Sequence, residues 1–243
     1  MTEQERIDDM GFGGVSLIQR EDGFRYGIDA VLLATFAARS VHVPDRICDL
    51  GTGNGAAAMI LLAKFRQAHV TGIEIQEEAA SLARRSAALN GFEDRCRILT
   101  GDIRELPLGE ERETFDLVVT NPPYVRSSGP MVSAKRELAL ARHEIAGGLP
   151  DFLDAAAALL RDRGTLCMIH RPARLTEILT LAAARRLEAK EILPVAPRRG
   201  KDPNLVLLRF LKNGGRELEL HEPLYVYEGD SYSPEILALY ERG

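Results

Sequence analysis

The chain has few cysteines and no long apolar run. Its three cysteines, Cys48, Cys96 and Cys167, lie far apart and include no C-x-x-C pair. This usage is typical of a reducing compartment and offers no metal site, so we expect small core residues on strands. The longest apolar runs, 30–38 and 56–63, are too short to cross a bilayer. The polar opening MTEQERIDDM has no apolar core of a secretory signal, which predicts a cytoplasmic protein.

Positive charge is not in excess. The chain has 31 basic residues, of which only five are lysine, and 36 acidic residues, so its net charge is −5. Net acidity argues against a protein that coats nucleic acid without selection. Two segments are locally basic, 122–143 at +3 and 190–212 at +4, and either is a solvated surface or a contact face. With 243 residues, 45% apolar, we expect a single globular domain spanning 1–243.

Strand-like and helix-like segments alternate along most of the chain. Strands are predicted at 46–50, 69–75, 97–100, 115–120, 164–170 and 204–211, and helices at 56–65, 77–89, 151–160 and 174–186. Apolar strands that alternate with helices favour a mostly parallel sheet covered on both faces. The sequence therefore predicts an α/β fold of the Rossmann-like kind.

The two ends of the chain follow a different pattern. Segments 15–19 and 24–28 flank the turn signal at 21–23, so we expect a small N-terminal β-hairpin. A helix at 30–38 would follow it, capped by Asp29, so that 1–40 forms an appendage to the core. The tail predicts a short strand at 223–227 and a helix at 234–240.

A glycine-rich loop, DLGTGNG at 49–55, lies between the first strand of the sheet and its helix. Its glycines permit a sharp turn and close approach of a ligand to the backbone. Glu74 ends the next strand, where a carboxylate can accept both hydroxyl protons of a ribose, and Asp102 is placed to meet an adenine edge. The loop also satisfies G-x-G-x-x-G/A, so S-adenosylmethionine, a nicotinamide or flavin dinucleotide, or a structural turn all remain open. Asp49 favours S-adenosylmethionine, because this cofactor carries an ammonium group and no pyrophosphate.

A second motif, Asn121-Pro122-Pro123-Tyr124, follows the strand at 115–120. Two prolines cannot continue a central strand and fix a rigid loop, which leaves the Asn121 side chain and the Pro122 carbonyl as two preorganised acceptors. Two acceptors suit a planar NH₂ group, such as an adenine amino group or a glutamine amide. Hydrogen bonds to both protons would localise the nitrogen lone pair for attack on a sulfonium methyl group, with Tyr124 stacked on the substrate.

The two motifs together resemble the amino-methylating class I methyltransferases that depend on S-adenosylmethionine. Further segments resemble the bacterial tRNA(Val) adenine N6-methyltransferase group: ERIDD at 5–9, FRYGIDAVLL at 24–33, GIEIQ at 72–76, ARHE at 141–144, HRP at 170–172 and LYVY at 224–227. The resemblance runs through essentially the whole chain. It implies a mostly parallel seven-stranded sheet and transfer of a methyl group from S-adenosylmethionine to N6 of a tRNA adenine. The expected substrate is the anticodon-loop adenosine 3′ of the anticodon of tRNA(Val).

The resemblance also implies site residues. The segment upstream of the glycine loop would line the methionine end of the cofactor, although Ile28 stands where other members carry Thr. The expected cofactor contacts are Tyr26, Gly27, Asp29, Leu32, Asp49, Leu50, Gly51, Thr52, Gly53, Asn54, Gly55, Glu74, Ile75, Asp102, Ile103 and Asn121. The expected catalytic residues are Asn121, Pro122, Pro123 and Tyr124. The expected RNA contacts are Arg126, Lys135, Arg136, Arg142, His143, Arg198, Arg199 and Lys201.

Other functions compete with this interpretation. Adenine in rRNA or DNA is an alternative substrate, as is the glutamine amide of a release factor, whose methyltransferases add an N-terminal helical domain. A dinucleotide-dependent oxidoreductase would leave Asn-Pro-Pro-Tyr without a role, and a noncatalytic RNA-binding module would not use the cofactor. We expect no metal, no membrane partner, and a monomer or weak homodimer.

Overall fold

The computed structural model describes residues 5–21, 27–106, 111–123 and 147–240. The strands are β1 Glu5–Asp9, β2 Ser16–Arg20, β3 Arg46–Leu50, β4 His69–Glu74, β5 Cys96–Thr100, β6 Phe115–Thr120, β7 Leu160–His170, β8 Leu187–Ala196, β9 Leu205–Lys212, β10 Glu219–Leu220, β11 Leu224–Tyr225, β12 Tyr227–Glu228 and β13 Ser231–Tyr232. The helices are α1 Ile28–Ser40, α2 Ala56–Lys64, α3 Glu77–Leu89, α4 Leu149–Leu159, α5 Leu175–Ala184 and α6 Pro234–Leu239.

The central sheet has the strand order β10-β8-β9-β7-β6-β3-β4-β5, and β11 also pairs with β8. Strands β3 to β7 run parallel, whereas β9 lies antiparallel between β7 and β8. Helices α2, α3 and α4 lie in the crossovers from β3 to β4, from β4 to β5 and from β6 to β7, since a parallel pair needs a long connection. The mostly parallel sheet is confirmed, but within the described residues it has nine strands rather than seven, because the two-residue strands β10 and β11 extend it at one edge.

Side chains alternate between the two faces of the sheet, and each face has its own core. On β3, Ile47 packs against α1 and α2, while Cys48 and Leu50 pack in the layer that contains α4 and α5. This period of two is expected for strands that are buried on both faces. The fully buried Phe152 of α4 anchors the second layer directly beneath the glycine loop.

The cysteine prediction is confirmed. Cys48 and Cys167 are buried on β3 and β7, and Cys96 is half-buried on β5. Burial raises the pKa of the Cys96 and Cys167 thiols to about 12, so none of them is a reactive thiolate near neutral pH.

The predicted hairpin exists, but its strand pairing was predicted wrongly. The partner of β2 is the upstream strand β1, with Ile7 opposite Ile18, rather than the segment 24–28. Residues 24–26 lie outside the described ranges, and Ile28 begins α1. Strand β1, ERIDD, contains a single apolar residue, so the apolar pattern did not reveal it.

The N-cap prediction for Asp29 was also wrong. Gly27 occupies the cap position with an extended backbone, and Asp29 lies in the first turn of α1. An acidic side chain there still interacts favourably with the helix dipole. At the other end of α1, Arg39 Nη2 donates to Glu191 on β8 at 2.6 Å, which fixes the helix across the sheet.

Polar contacts fasten the hairpin to α3. Asn90 accepts from the Ser16 N–H and donates to the Ser16 carbonyl, at 2.8 and 2.7 Å. The Ile18 N–H donates to the Ser86 hydroxyl at 3.0 Å, and Arg85 pairs with both oxygens of Glu5. The hairpin is thereby held next to the glycine loop.

In the described ranges, no helix is long and apolar enough to cross a membrane.

Candidate active site

The carboxyl ends of β3, β4, β5 and β6 meet at one edge of the sheet. In register, Leu50 lies opposite both Ile73 and Thr120, and Glu74 lies opposite Thr100. The segments that follow these strands are the glycine loop, the Glu74 turn, the Asp102 turn and the Asn-Pro-Pro segment. Ligands of open α/β sheets bind at this edge, so the topology brings together the two motifs that were recognised separately.

The glycine loop folds back over the end of β4. The N–H groups of Gly51 and Thr52 both donate to the Ile73 carbonyl, at 2.9 and 3.1 Å. Gly51, Gly53 and Gly55 have φ values of 71°, 58° and 87°, a region that favours glycine. A Cβ at Gly51 would come within 3.2 Å of the Phe152 ring, whereas one at Gly53 would meet nothing within 4 Å. Gly53 therefore faces open space where a ligand has room.

Glu74 supports this loop from below. Its Oε2 accepts from the Gly53 N–H at 2.9 Å, and its Oε1 accepts from the Gln76 N–H at 2.9 Å. The residue is only 7% exposed. Each carboxylate oxygen has more than one lone pair, so Glu74 can hold the loop and still accept from two hydroxyl groups.

Asp49 is a buried carboxylate at the start of the loop. The Thr52 hydroxyl donates to its Oδ2 at 2.7 Å. Burial, opposed by that hydroxyl and reinforced by the nearby Glu74 charge, raises the pKa of Asp49 to about 6. A ligand ammonium group close to Asp49 would favour the ionised form and reverse this shift.

Asp102 lies beyond β5, where the Gly101 N–H donates to the Glu74 carbonyl. Arg104 Nε donates to both Asp102 oxygens at 2.9 Å, and this pairing, partly opposed by desolvation, lowers the pKa of Asp102. An adenine contact at Asp102 would share the carboxylate with Arg104. Ile103 is buried next to it, Leu50 is fully buried, and Ile75 is half-buried after β4.

The upstream segment is described in part. Gly27 and Asp29 lie at the N-terminus of α1, and Leu32 is 1% exposed on the same helix. Leu32 lines a cavity of about 370 Å³ between α1 and the C-terminal segment. Tyr26 falls outside the described residues.

The Asn-Pro-Pro segment continues directly from β6. The buried Thr120 hydroxyl donates to the Leu50 carbonyl at 2.9 Å, which ties the end of β6 to the start of the glycine loop. Asn121 and Pro123 are half-buried and Pro122 is buried. Tyr124 lies outside the described residues, so its predicted stacking role stays a prediction.

Two side chains near this edge were not among the predicted site residues. Gln19 of β2 is buried and lies within 3.4 Å of Asn54, and it also donates to Asp8. His170 ends β7, and its Nδ1 accepts from the Arg171 N–H at 2.8 Å. Burial lowers the pKa of His170 to about 4, so its imidazole is neutral near pH 7. No sequence signal pairs Gln19 with Asn54, because the contact depends on how the hairpin docks.

The predicted RNA contacts divide into two groups. Arg198, Arg199 and Lys201 are exposed on the connection between β8 and β9. The others fall outside the described residues: Arg126, Lys135, Arg136, Arg142 and His143. Within the described part of the chain, no three His, Cys, Asp or Glu side chains are grouped closely enough to hold a metal ion.

Comparison with known proteins identifies the family. A family model described as "Methyltransferase domain" matches residues 42–190. The chain belongs to the methyltransferase family. A tRNA1(Val) (adenine(37)-N6)-methyltransferase of Porphyromonas gingivalis is 36% identical over 206 residues, covering 82% of this chain and 79% of the relative. One from Tolumonas auensis is 30% identical over 217 residues, covering 88% and 87%.

The solved structures agree with this family. A predicted O-methyltransferase, Atu636 from Agrobacterium tumefaciens, aligns with a TM-score of 0.69 at 29% identity, covering 87% of this chain and 95% of that one. The expected Rossmann-like methyltransferase fold is confirmed. The chain is an S-adenosylmethionine-dependent methyltransferase.

The described residues fit this cofactor. Gly53 leaves open space above the loop, and Glu74 retains acceptor capacity for ribose hydroxyls. The buried Asp49, whose pKa is raised to about 6, suits a ligand that brings a positive charge and no phosphate. A pyrophosphate would place further negative charge beside the buried Asp49 carboxylate, which disfavours a dinucleotide.

Proposed function

We propose that this methyltransferase acts on the N6 amino group of an adenine in tRNA. The observation that carries the proposal is the position of Asn121 and Pro122 at the carboxyl end of β6. This is the sheet edge that also holds the glycine loop and Glu74. The segment offers two acceptors to a planar amino group next to a cofactor site.

The two acceptors explain how a weakly nucleophilic nitrogen reacts. Asn121 Oδ1 and the Pro122 carbonyl each accept one proton of the substrate NH₂ group. These hydrogen bonds favour a pyramidal nitrogen and localise its lone pair, which is otherwise delocalised into the ring. S-adenosylmethionine, when bound, supplies an electrophilic methyl group on its sulfonium. The amino proton leaves to water after transfer, so catalysis depends on positioning and electrostatics.

The other residues of the edge hold the cofactor in this proposal. Glu74 accepts from the ribose hydroxyls, Asp102 meets the adenine edge, and Asp49 faces the ammonium group. The hydrogen bond from Thr120 to Leu50 joins the segment bearing Asn121 to the glycine loop. This connection keeps the acceptors and the cofactor site in one rigid unit.

The choice of tRNA rests on the relatives. Those at 36% and 30% identity carry the name tRNA1(Val) (adenine(37)-N6)-methyltransferase, and the matched region covers most of each chain. We extend that substrate to this chain, namely the adenosine 3′ of the anticodon. Basic side chains such as Arg198 and Arg199 supply phosphate or base contacts, and single-stranded loops present bases that can be splayed out. We further propose a monomer or weak homodimer, which light scattering tests.

The experiment is methyl transfer from labelled S-adenosylmethionine into bulk tRNA from cells that lack this protein. The nucleosides are then separated and identified by mass. Label in N6-methyladenosine is the expected result. Cofactor binding without label in tRNA would contradict the proposal, and parallel reactions with rRNA, DNA and a release factor would then identify the substrate.

A further inference from the structure

The tyrosines of this chain are unevenly distributed. Of six in the sequence, Tyr26 and Tyr124 lie in the two predicted site segments, and the remaining four lie between 225 and 240. Tyrosine combines a stacking ring with a polar tip and is suited to half-exposed contact surfaces. The four C-terminal tyrosines therefore form a further candidate contact surface.

Three of the four C-terminal tyrosines, Tyr227, Tyr232 and Tyr240, stack in series, and two arginines lie over the rings of Tyr225 and Tyr227. Tyr227 and Tyr232 are directly opposite on β12 and β13, with ring centroids 5.3 Å apart at 18°. The Arg198 guanidinium lies 5.9 Å from the Tyr227 ring centroid, and Arg199 lies 4.9 Å from that of Tyr225. We name this group the tyrosine platform: Arg198, Arg199, Tyr225, Tyr227 and Tyr232.

The platform lies at the same edge of the sheet as the candidate active site. Strand β11 pairs with the end of β8, with Tyr225 opposite Ala196, and the Tyr227 N–H donates to the Pro197 carbonyl. Strand β8 runs parallel to β6 and is separated from it by β9 and β7. Three strand spacings separate β8 from β6 by about 14 Å sideways, and β8 also runs from Ile192, which is level with Thr120, on to Ala196. A few nucleotides of single-stranded RNA span that distance.

Contacts other than those of the two exposed rings also hold the hairpin in place. Val226 and Ile236 are buried beneath it, and the Ser233 hydroxyl donates to the Tyr225 carbonyl while accepting from the Ile236 N–H. Tyr227 and Tyr232 keep 39% and 36% of their surface exposed. Tyr232 also stacks on Tyr240, with ring centroids 6.1 Å apart, so Tyr227, beside Arg198, is the outer ring of the stack.

Charge around the platform is balanced. Arg198, Arg199 and Lys201 are offset by Asp202, Glu228 and Asp230, and Arg198 lies 3.7 Å from Asp230. A surface that attracts phosphates by net charge would lack these acids. The chemistry favours stacking, in which tyrosine rings and guanidinium planes contact base faces.

We propose that the tyrosine platform stacks on unpaired bases that flank the target adenine, several nucleotides away from it. This deepens the proposed function and rests on it. The platform acts in RNA binding, and no platform residue contacts the reacting nitrogen. Its contribution to affinity depends weakly on salt, whereas phosphate contacts depend on it strongly.

The test measures RNA binding apart from methyl transfer. Fluorescence anisotropy with a labelled anticodon stem-loop compares wild type with the double variants Tyr227→Leu/Tyr232→Leu and Tyr227→Phe/Tyr232→Phe. Leucine keeps apolar bulk but does not stack, whereas phenylalanine retains the ring. We expect the Leu pair to weaken binding about tenfold, by a similar factor at about 0.1 and about 0.3 M salt. The Phe pair should bind like wild type, and a fully double-stranded RNA should show no difference.

Methyl-transfer kinetics distinguish a failure of this proposal from a failure of the proposed function. With tRNA as substrate, the Leu pair should raise KM and leave kcat unchanged. Equal stem-loop affinity of the Leu pair and wild type would overturn the platform. If wild type transfers no methyl group to tRNA, the proposed function fails. A loss of stem-loop binding confined to the Leu pair would still support the platform in that case.

Discussion

Gly53 and Glu74 are joined by a hydrogen bond in which the Gly53 N–H donates to Oε2 of Glu74 at 2.9 Å. A single buried carboxylate therefore both shapes the glycine loop and faces the predicted ribose position. If Glu74 also accepts from the ribose, as proposed, its removal should affect both the loop conformation and cofactor binding.

Replacing Glu74 with Gln tests this coupling. The amide keeps the shape but loses the negative charge and one acceptor atom, and hydrogen bonds to charged groups contribute about 1.5–3 kcal/mol each. We expect the Kd for S-adenosylmethionine to rise by roughly 10- to 100-fold, measured by calorimetry. The control is Glu78→Gln on α3, whose side chain is 87% exposed. Equal affinity of E74Q and wild type would remove Glu74 from the cofactor site.

Asp49→Asn should stabilise the protein without cofactor while weakening cofactor binding. The pKa of Asp49 is raised from 3.8 to about 6, so keeping it ionised costs up to about 3 kcal/mol. This cost to folding is absent below the ordinary Asp pKa of 3.8 and fully present above a pH of about 6. The stability gain of D49N should therefore grow as pH rises from 4 to 7. Denaturant unfolding across this range, with and without cofactor, measures it.

Asp116 provides the control of opposite sign. Burial raises the pKa of Asp116, but the N–H groups of Arg46 and Asp45 and the Arg161 guanidinium outweigh it, so the net shift is downward. Ionised Asp116 therefore stabilises the fold above the ordinary Asp pKa of 3.8, and this stabilisation is lost as the carboxylate is protonated in acid. Asp116→Asn should destabilise at pH 7 and leave cofactor affinity unchanged. A stability difference between D49N and wild type that stayed constant or shrank from pH 4 to 7 would contradict the raised pKa of Asp49.

Two glycines with similar backbone conformations separate strain from site contacts. Gly14 has a φ of 80° with open space around it, and Gly51 has a φ of 71° with the Phe152 ring 3.2 Å from an added Cβ. Alanine at either position costs about 1–2 kcal/mol from the backbone. Gly51→Ala should be less stable than Gly14→Ala and bind S-adenosylmethionine more weakly. Thermal unfolding and calorimetry measure both, and equal cofactor affinity in the two variants would contradict a ligand-facing loop.

Asn90 should determine how firmly the N-terminal hairpin docks. Its side chain makes hydrogen bonds with the N–H and carbonyl of Ser16 and with the Ser86 carbonyl. Asn90→Ala should lower stability by about 1–3 kcal/mol and speed hydrogen exchange at Ser16 and Ile18. Ser86→Ala, which removes only the acceptor of the Ile18 N–H, should affect Ile18 more than Ser16. Unchanged exchange in N90A would show that the hairpin is held by other contacts.

The central sheet was predictable because its strands are apolar and end at clear signals. Strand β3 runs into glycines and β6 runs into two prolines, so both ends were placed from the sequence. Strand β8 was not predicted as part of the sheet, since LEAKEILPVA mixes charges and Pro194 into a pattern without clean alternation. Tertiary pairing with β9 outweighs these local preferences.

The candidate site was predictable to the extent that it follows strand ends. Asp49, Glu74, Asp102 and Asn121 share one edge because parallel strands end together. Asp102 and Arg104 are close in sequence, so their pairing could be expected. Gln19 and Asn54, in contrast, are 35 residues apart in the chain. Such contacts depend on docking of the hairpin, which no local pattern encodes.

The most direct test of the account is the Asn121→Ala variant with tRNA under saturating S-adenosylmethionine. Loss of a preorganised group that acts in the transition state lowers kcat by about 100-fold or more, while the Kd values for cofactor and tRNA should stay close to those of wild type. A wild-type kcat in N121A would contradict the two-acceptor mechanism at the end of β6.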